Sequence, residues 1–238
     1  SEKGEQDLMV KIISHCCPKC NSNSLYKYGK DKFGNQKYQL ATSLLGEYNI
    51  YNALSFITIV DNLDSFNKYT INFLQKRITI DGRFEVVNTN RGTFVIDFAH
   101  TPDGVLNVLK LFNRFSNNII SVCGCGGNRD KTKRPIMGKI SGELADFTII
   151  TSDNPRTEDP QKIVDDIEEG IKQTKGKYTV ILNRTKAIEL ALKRCEKNDL
   201  VVLAGKGHET YQILNTGKIH FDEREVVAKI LRKMPIPD

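Results

Sequence analysis

The sequence predicts an α/β fold with a Rossmann-like, mainly parallel sheet flanked by helices. From about residue 92 onward, short β-branched runs alternate with amphipathic helical stretches, which is typical of stacked βαβ units. Three of these runs end in polar, glycine-rich loops. With 238 residues, of which 39% are hydrophobic and 27% charged, the chain can form one good core and a smaller unit.

Residues 1 to 43 are predicted to form a partial zinc-ribbon-like tail. Cys17 and Cys20 have the spacing of a zinc knuckle, and a basic, aromatic stretch follows them up to Tyr38, as in the zinc ribbons of transposase-like and other nucleic-acid-binding proteins. Structural zinc needs four ligands, with a second cysteine pair expected within roughly 15 to 20 residues, but the next cysteine is Cys123. Bound zinc and a tail without metal both stay open.

Residues 44 to 83 are predicted to contain one or two helices, which follow the segment LGEYNIYNAL at 45–54. A connector at 78–85 then leads into the next domain. This part is too short for a large independent domain. We therefore expect three parts, with boundaries at 1–43, 44–83 and 84–238.

The third part carries the repeated strand and helix patterns. Strands are predicted at 93–97, 118–123, 147–151, 178–182 and 200–204. Helices are predicted at 103–115, 135–144, 160–172, 185–195 and 222–233. The polar loops at 124–134, 152–159 and 205–211 follow three of the strands, and the carboxyl ends of parallel strands share one edge of a sheet. We therefore expect these loops to converge on one crevice.

Composition excludes several classes of protein. No apolar run approaches the roughly 20 residues that span a bilayer, and the N-terminal segment lacks the features of a signal peptide, so we expect a cytoplasmic protein without a membrane partner. Six cysteines in local groups are too few for a disulfide scaffold of this length. The formal charge of +6 is modest and suits anionic substrates such as phosphates as well as nucleic acid.

The most informative loop contains Asp153, Asn154, Pro155 and Arg156 directly after a predicted strand. It combines a carboxylate, an amide and a guanidinium on a turn stiffened by proline. Asp153 suits an ammonium group and the fork of Arg156 suits a carboxylate, so the loop could hold an amino acid. The alternative is ordinary turn chemistry without a ligand.

Seven separated motifs then occur in an order that resembles one family. They are LGEYNIYNAL at 45–54, GRFE at 82–85, DFAHTPD at 97–103, GCGGNRDKTKRP at 124–135, TSDNPR at 151–156, GKGHETYQ at 205–212 and FDEREV at 221–226. Over roughly residues 44 to 238, the chain resembles the C-terminal part of the Mur ligases. The specific resemblance is to MurE-type members of peptidoglycan biosynthesis, which use ATP and Mg to add meso-diaminopimelate to UDP-MurNAc-L-Ala-D-Glu. Residues 44 to 83 then correspond to a remnant of the central domain.

The resemblance also implies roles for individual residues. The positions matching those that bind meso-diaminopimelate are Arg129, Asp153, Asn154, Pro155, Arg156, Gly205 and Glu209. In this scheme the arginines bind carboxylates, while Asp153 and Glu209 accept hydrogen bonds from ammonium groups. The resemblance identifies no catalytic residue.

The positions matching the nucleotide side are Arg83, Asp97 and His100. Asp97 would take ribose hydroxyls and Arg83 would reach polyphosphate. Alternatives stay open: Asp97 could cap the helix that begins near residue 102, His100 could be a packed turn residue, and His208 could brace its own loop.

The chain departs from the family at one essential element. A complete Mur ligase has a G-K-[ST]-type phosphate loop and magnesium ligands, and no such loop occurs in the 238 residues; GKGHE lacks the required spacing. We therefore expect incomplete binding of ATP and Mg and no ligase activity from this chain alone, as for a truncated gene product or fusion. The alternatives are a nucleic-acid-binding fusion protein that uses residues 1–43, an accessory subunit completed in trans by an ATPase chain, and a folate or polyglutamate ligase.

Overall fold

The computed structural model describes residues 24–25, 29–30, 36–37, 41–42, 52, 55–56, 59, 63, 80–89, 91–114, 116 and 118–234. The chain divides into two compact units, Ser1–Ile78 and Thr79–Asp238. The described part of the first unit contains two short antiparallel pairs, β1 (Ser24–Leu25) with β4 (Ala41–Thr42) and β2 (Gly29–Lys30) with β3 (Gln36–Lys37). Positions 52, 55, 56 and 59 are helical, which agrees with the helix predicted there. Cys17 and Cys20 lie outside the described residues.

The second unit is an α/β domain. Its strands are β5 (Glu85–Asn88), β6 (Thr93–Asp97), β7 (Ile119–Cys123), β8 (Phe147–Ile150), β9 (Tyr178–Val180), β10 (Leu200–Ala204), β11 (Tyr211–Leu214) and β12 (Gly217–His220). Its helices are α1 (Pro102–Phe112), α2 (Lys133–Leu144), α3 (Pro160–Ile171), α4 (Arg184–Arg194) and α5 (Glu223–Leu231). Among the described residues, no helix has the length and apolar character that crossing a membrane requires.

Six strands form one sheet in the order β5-β6-β10-β7-β8-β9. Strand β5 is antiparallel to β6, and the other neighbours are parallel. Strands β11 and β12 form a separate antiparallel hairpin. The fold class predicted from the sequence is therefore confirmed.

Helices cover both faces of the sheet. Residues of α1, α2 and α3 pack with Val95 on one face, while residues of α4 and α5 pack with Phe94 and Ile96 on the other. Because both faces of β6 are buried, its central residues Phe94, Val95 and Ile96 are all apolar and do not alternate with polar residues.

Short polar side chains explain where four helices begin. Each accepts a hydrogen bond from a backbone amide in the first turn of its helix. These capping residues are Thr101 for α1, Asp159 for α3, Asn183 for α4 and Asp222 for α5.

The sheet order places a topological switch point at the carboxyl end of β10. The connection from β6 to β7 passes through α1 on one face, whereas the connection from β9 to β10 passes through α4 on the other. Strand β10 enters the sheet between β6 and β7, so neighbouring connections leave in opposite directions there. Open α/β sheets bind ligands at such a switch point.

All five predicted strands and all five predicted helices are present, with ends that differ by a few residues. Three strands were not predicted from the sequence: β5, which begins at the end of the predicted connector, and the hairpin strands β11 and β12. All three have four residues and lie at or outside the edge of the main sheet, where no continuous apolar run marks them.

Candidate functional site at the carboxyl edge of the sheet

The loops that follow β7, β8 and β10 meet at this edge, as the sequence predicted. The amide of Gly127 donates to the carbonyl of Asn154 at 2.9 Å, which joins the first loop to the second. The side-chain amide of Asn154 donates to Glu209 Oε2 at 2.8 Å, which joins the second loop to the third. Residues 55 positions apart in the sequence are therefore in direct contact.

Lys206 lies at the centre of this contact and is fully buried. Its ammonium donates to Asn154 Oδ1 at 2.9 Å, to Glu209 Oε2 at 3.2 Å and to the carbonyl of Tyr211 at 2.8 Å. It also lies 3.0 Å from Asp153 Oδ1. The sequence analysis did not identify Lys206 as a site residue. It assigned Asp153 and Glu209 to the ammonium of a ligand, whereas here both contact the ammonium of Lys206.

The three protons of Lys206 explain an unpaired atom at Asp153. An ammonium group has three N–H donors, and three oxygen acceptors already take them. Oδ1 of Asp153 is therefore close enough for an ion pair but has no hydrogen-bond donor among the described residues. The cluster of Asp153, Glu209 and Lys206, with two carboxylates and one ammonium, has a formal charge of −1.

Asn154 and Pro155 shape the second loop. Asn154 Oδ1 accepts from the amide of Ile213 at 2.9 Å as well as from Lys206, so the loop is joined to β11. Pro155 is buried, and a Cβ atom on Gly127 would lie 1.9 Å from its carbonyl oxygen. Glycine is therefore required at position 127 for the first two loops to approach this closely.

Arg129 and Arg156 both lie close to Gly126. A Cβ atom there would be 2.9 Å from Arg156 Nη1 and 3.7 Å from Arg129 Cγ. Arg156 is half-buried, has a φ of 55°, and donates through Nη1 to the carbonyls of Gly127 at 2.9 Å and Asn154 at 3.3 Å. Arg129 is exposed and donates to the carbonyl of its neighbour Asn128.

Arg134 clamps the loop that carries Arg129. Its guanidinium is fully buried and contacts both oxygens of Glu158 at 3.1 Å, Asp166 at 2.8 Å and the carbonyl of Gly126 at 3.3 Å. Burial acts to raise the pKa of Glu158, but hydrogen bonds from the amide of Asn128 and from Arg134 outweigh it and lower that pKa. The loop is therefore held by charged contacts on its inner side.

Asp97 ends β6 and is hydrogen-bonded by backbone amides on both oxygens. Phe84 donates to Oδ2 and Ala99 donates to Oδ1, each at 2.8 Å. Burial raises the pKa of Asp97, and these two hydrogen bonds oppose that shift. The helix that begins at Pro102 is capped by Thr101. Asp97 therefore fixes the segment before β5 to β6, and the alternative that it caps α1 is wrong.

Arg83 and His100 lie beside Asp97 around the ring of Phe98. The guanidinium of Arg83 lies 4.6 Å from the centre of this ring, and the rings of His100 and His208 lie 4.5 and 5.1 Å from it. Arg83 and both histidines are exposed. Arg83 and His100, which were both predicted on the nucleotide side, therefore contact the same aromatic ring.

Two cavities differ in where they lie on the sheet. A cleft of about 820 Å³ is found near the amino ends of β7 and β8, and its lining includes Asn118, Asp146 and Lys177. A cavity of about 410 Å³ lies beside Arg156 and includes Pro155 in its lining. Ligands of parallel α/β sheets bind at the carboxyl ends of strands, so position favours the smaller cavity over the larger one.

Among the described residues, no group of three or more His, Cys, Asp or Glu side chains is arranged to hold a metal ion. Cys123 and Cys125 are buried free thiols. The zinc prediction concerns Cys17 and Cys20, which the structure does not describe.

Comparison with known proteins identifies the family. Residues 82–207 match the model of the Mur ligase, glutamate ligase domain, which is more than half of the chain. A UDP-N-acetylmuramoyl-L-alanyl-D-glutamate--2,6-diaminopimelate ligase of Caldanaerobacter subterraneus subsp. tengcongensis is 46% identical over 213 residues, which cover 89% of this chain and 44% of the relative. The enzyme of the same name from Clostridium tetani is also 46% identical, over 97% of this chain and 48% of its own length.

Solved structures agree with these matches. A structure of a UDP-N-acetylmuramoyl-L-alanyl-D-glutamate--2,6-diaminopimelate ligase superimposes with a TM-score of 0.63 and 33% identity, over 89% of this chain and 45% of that chain. The MurC ligase of Thermotoga maritima has a TM-score of 0.61 at 18% identity, over 85% of this chain and 41% of its own, which supports the fold alone.

The alignments also bear on the extent of the similarity. The chain spans about half the length, or less, of the curated relatives it matches. The Clostridium tetani alignment leaves 3% of the 238 residues, about seven, outside it. Most of residues 1 to 43 is therefore included, so the similarity is wider than the motifs at 44–238 predicted, and this counts against a foreign N-terminal fusion. The chain belongs to the Mur ligase family and corresponds to the C-terminal part of its MurE-type members.

Proposed function

We propose that this chain provides the amino-acid-binding part of a MurE-type ligase and selects meso-diaminopimelate for addition to UDP-MurNAc-L-Ala-D-Glu. The observation that carries the proposal is the joining of three loops by Asn154, whose carbonyl accepts from the amide of Gly127 and whose side chain contacts Lys206 and Glu209. This site combines carboxylates, which can bind the ammonium of an amino acid, with two nearby guanidinium groups, which can bind its carboxylate. The names of the 46% identical relatives support the same substrate.

The ammonium of the amino acid would bind at Glu209. Its Oε2 atom already accepts from Asn154 and Lys206, whereas Oε1 has only a long contact of 3.5 Å with the hydroxyl of Tyr211. Gly205 has a φ of 120°, and a Cβ atom there would lie 3.2 Å from Asp153 Oδ2. Glycine therefore keeps this side of the site open to a ligand.

The carboxylates of the amino acid would bind at Arg129 and Arg156. The hydrogen bonds of Arg156 within the described residues use Nη1, so Nε and Nη2 are available to a carboxylate. meso-Diaminopimelate has a second carboxylate that lysine lacks. We propose that Arg156 binds it and thereby separates the two amino acids.

The nucleotide would bind on the side of Arg83 and His100. Mur ligases depend on ATP, which activates a carboxylate as an acyl phosphate when bound with Mg. The described residues fit Mg poorly, since no cluster of three acidic or histidine ligands occurs among them. With no G-K-[ST] phosphate loop in its sequence, this chain by itself is proposed to bind the amino acid but not to ligate it. The nucleic-acid alternative depends on Cys17 and Cys20 and has no support from the described residues.

Calorimetric titration of the full chain with meso-diaminopimelate and with lysine tests this proposal. The sharpest variant is Arg156→Asn, because asparagine tolerates the left-handed backbone at this position better than alanine does. We expect about 10- to 100-fold weaker binding of meso-diaminopimelate, the cost of one charge-assisted contact, and little change for lysine. The matched control is Arg114→Asn, an exposed arginine beyond the end of α1.

Three results would contradict the proposal. They are equal affinity of the unaltered chain for both amino acids, the absence of binding to either, and unchanged affinity for meso-diaminopimelate in Arg156→Asn.

A further inference from the structure

Lys206 is a buried cation that the proposed ligand contacts leave unused. Its side chain has no exposed surface, and its ammonium has acceptors on the second and third loops. Burying an ammonium costs several kcal/mol before its contacts are counted, and an apolar side chain of similar length would avoid that cost. The presence of a lysine here therefore points to a role of its charge.

The contacts of Lys206 show what the charge does. It forms ion pairs with Asp153 at 3.0 Å and Glu209 at 3.2 Å, and it donates to Asn154 at 2.9 Å. Without it, two carboxylates would share a largely buried site with no cation between them, and like charges in such a site repel strongly. These three residues are among the seven that the family resemblance assigns to binding of the amino acid.

We infer that Lys206 is a positioning residue: it serves as the internal counter-ion that holds Asp153, Asn154 and Glu209 in place. It leaves the cluster of Asp153, Glu209 and Lys206 with one negative charge, which one ligand ammonium can neutralise. This inference depends on the proposed function for the identity of the ligand. meso-Diaminopimelate carries two ammonium groups, and only one of them would be neutralised by this cluster.

The buried groups around this cluster change its formal charge of −1 very little. The nearest buried ions are Arg184 and Glu223, which form a 2.8 Å pair with each other. Glu209 contacts the hydroxyl of Tyr211 at 3.5 Å. Asp153 also acts on the nearby thiol of Cys125, but burial is the main reason that the pKa of this thiol is raised to about 12, so the thiol is uncharged at neutral pH. The formal charge of the cluster of Asp153, Glu209 and Lys206 therefore stays at −1.

Two substitutions of Lys206 separate its charge from its packing. Lys206→Met keeps most of the side-chain volume without charge, while Lys206→Ala leaves a space of the size of propylammonium. We expect both variants to bind meso-diaminopimelate about 10- to 100-fold more weakly in calorimetry. Propylammonium should restore binding to Lys206→Ala but not to Lys206→Met, and 1-propanol, a neutral molecule of the same shape, should restore neither. Lys193→Met is the matched control, since Lys193 pairs with Glu189 on the surface.

Several outcomes would overturn the inference. They are full affinity of Lys206→Met, equal restoration of Lys206→Ala by propanol, and no restoration by propylammonium. The thermal unfolding midpoint of Lys206→Ala is measured with the same two solutes, so a variant too unstable to bind still reports whether a cation is needed.

A different result would refute the proposed function instead. If the unaltered chain does not bind meso-diaminopimelate, the ligand assignment fails, and the role of Lys206 is judged from the thermal unfolding midpoint of Lys206→Ala alone. A midpoint raised by propylammonium but not by 1-propanol would support the counter-ion role. Equal midpoints with the two solutes would overturn it.

Discussion

Replacing Arg184 by methionine should destabilise the α/β unit by about 3–5 kcal/mol at neutral pH, because the carboxylate of Glu223 would stay buried without its cation. Both side chains are fully buried. Arg184 Nε and Nη2 each lie 2.8 Å from Glu223 Oε1, and Nη2 also donates to the carbonyl of Ala204 at 2.9 Å. The pair therefore joins α4 and α5 to the end of β10, directly before the loop that carries Lys206.

The size of the loss depends on pH. Burial raises the pKa of Glu223, and Arg184 opposes that shift. Removing Arg184 raises this pKa further. A carboxyl group whose folded-state pKa lies above its unfolded value contributes stability at low pH, and this contribution is lost as pH rises through the folded-state pKa. The deficit of Arg184→Met should therefore be smaller at about pH 5 than at about pH 8.

A second substitution separates the buried charge from the ion pair. Arg184 Nη1 and Glu223 Oε2 have no hydrogen-bond partners within the described part of the chain, so the pair does not fully offset the cost of removing both charges from water. The double variant Arg184→Met, Glu223→Leu should recover most of the stability. It should remain about 1 kcal/mol below the unaltered chain, because the carbonyl of Ala204 loses its donor.

Urea unfolding followed by circular dichroism at the two pH values measures these free energies. The analysis of a double-mutant cycle then isolates the interaction between the two positions. The reasoning is refuted if Arg184→Met is as stable as the unaltered chain, if its deficit does not change with pH, or if the double variant is no more stable than Arg184→Met.

Three further predictions concern the segments around the site. Arg224→Gln should cost about 0.5–1 kcal/mol at neutral pH. Burial acts to raise the pKa of Glu85, but hydrogen bonds from Arg224 and a backbone amide outweigh it and lower this pKa. The stability lost in Arg224→Gln should therefore become smaller as pH falls below 4.5, the ordinary pKa of a glutamate. Urea unfolding at a series of pH values measures this. Gly82→Ala should cost about 1–3 kcal/mol more in thermal unfolding than Gly217→Ala, because a Cβ atom at Gly82 would lie 2.0 Å from backbone whereas Gly217 has nothing within 4 Å; equal losses would contradict this. Arg134→Gln should release the loop before α2, and limited trypsin digestion should cut this loop faster than in the unaltered chain; an unchanged rate would contradict the clamp.

The parallel sheet could be predicted because its central strands are recognisable without their neighbours. Phe94–Ile96 and Leu200–Ala204 are continuous apolar runs buried on both faces, and the predicted limits of their strands, 93–97 and 200–204, match the structure. Glu85–Asn88 contains only two apolar residues, one of which, Val86, is 45% exposed. It is a strand because β6 offers an edge to pair with, and pairing of this kind leaves no local pattern.

The site could be predicted as a place more easily than as a set of contacts. The position of Asp153 and Asn154 after a strand indicated the carboxyl edge of the sheet, and the structure has them there. The partner of Asn154, however, is Glu209, 55 residues away. This contact depends on the sheet order, in which only β7 separates β10 from β8, the strand before Asn154. The order of the strands does not follow from any local sequence pattern.

Lys206 shows why the count of charges matters for selectivity. From the sequence, a lysine between two glycines indicates a solvated loop, because burial of a lysine depends on acceptors that distant loops supply. Once it is buried, it uses one of the two negative charges that would otherwise be available to a ligand. In the proposed function, the remaining charge would bind one ammonium, which lysine and meso-diaminopimelate both offer. The acidic cluster would then not distinguish between them, and discrimination would have to come from Arg129 and Arg156, to which only meso-diaminopimelate offers a second carboxylate.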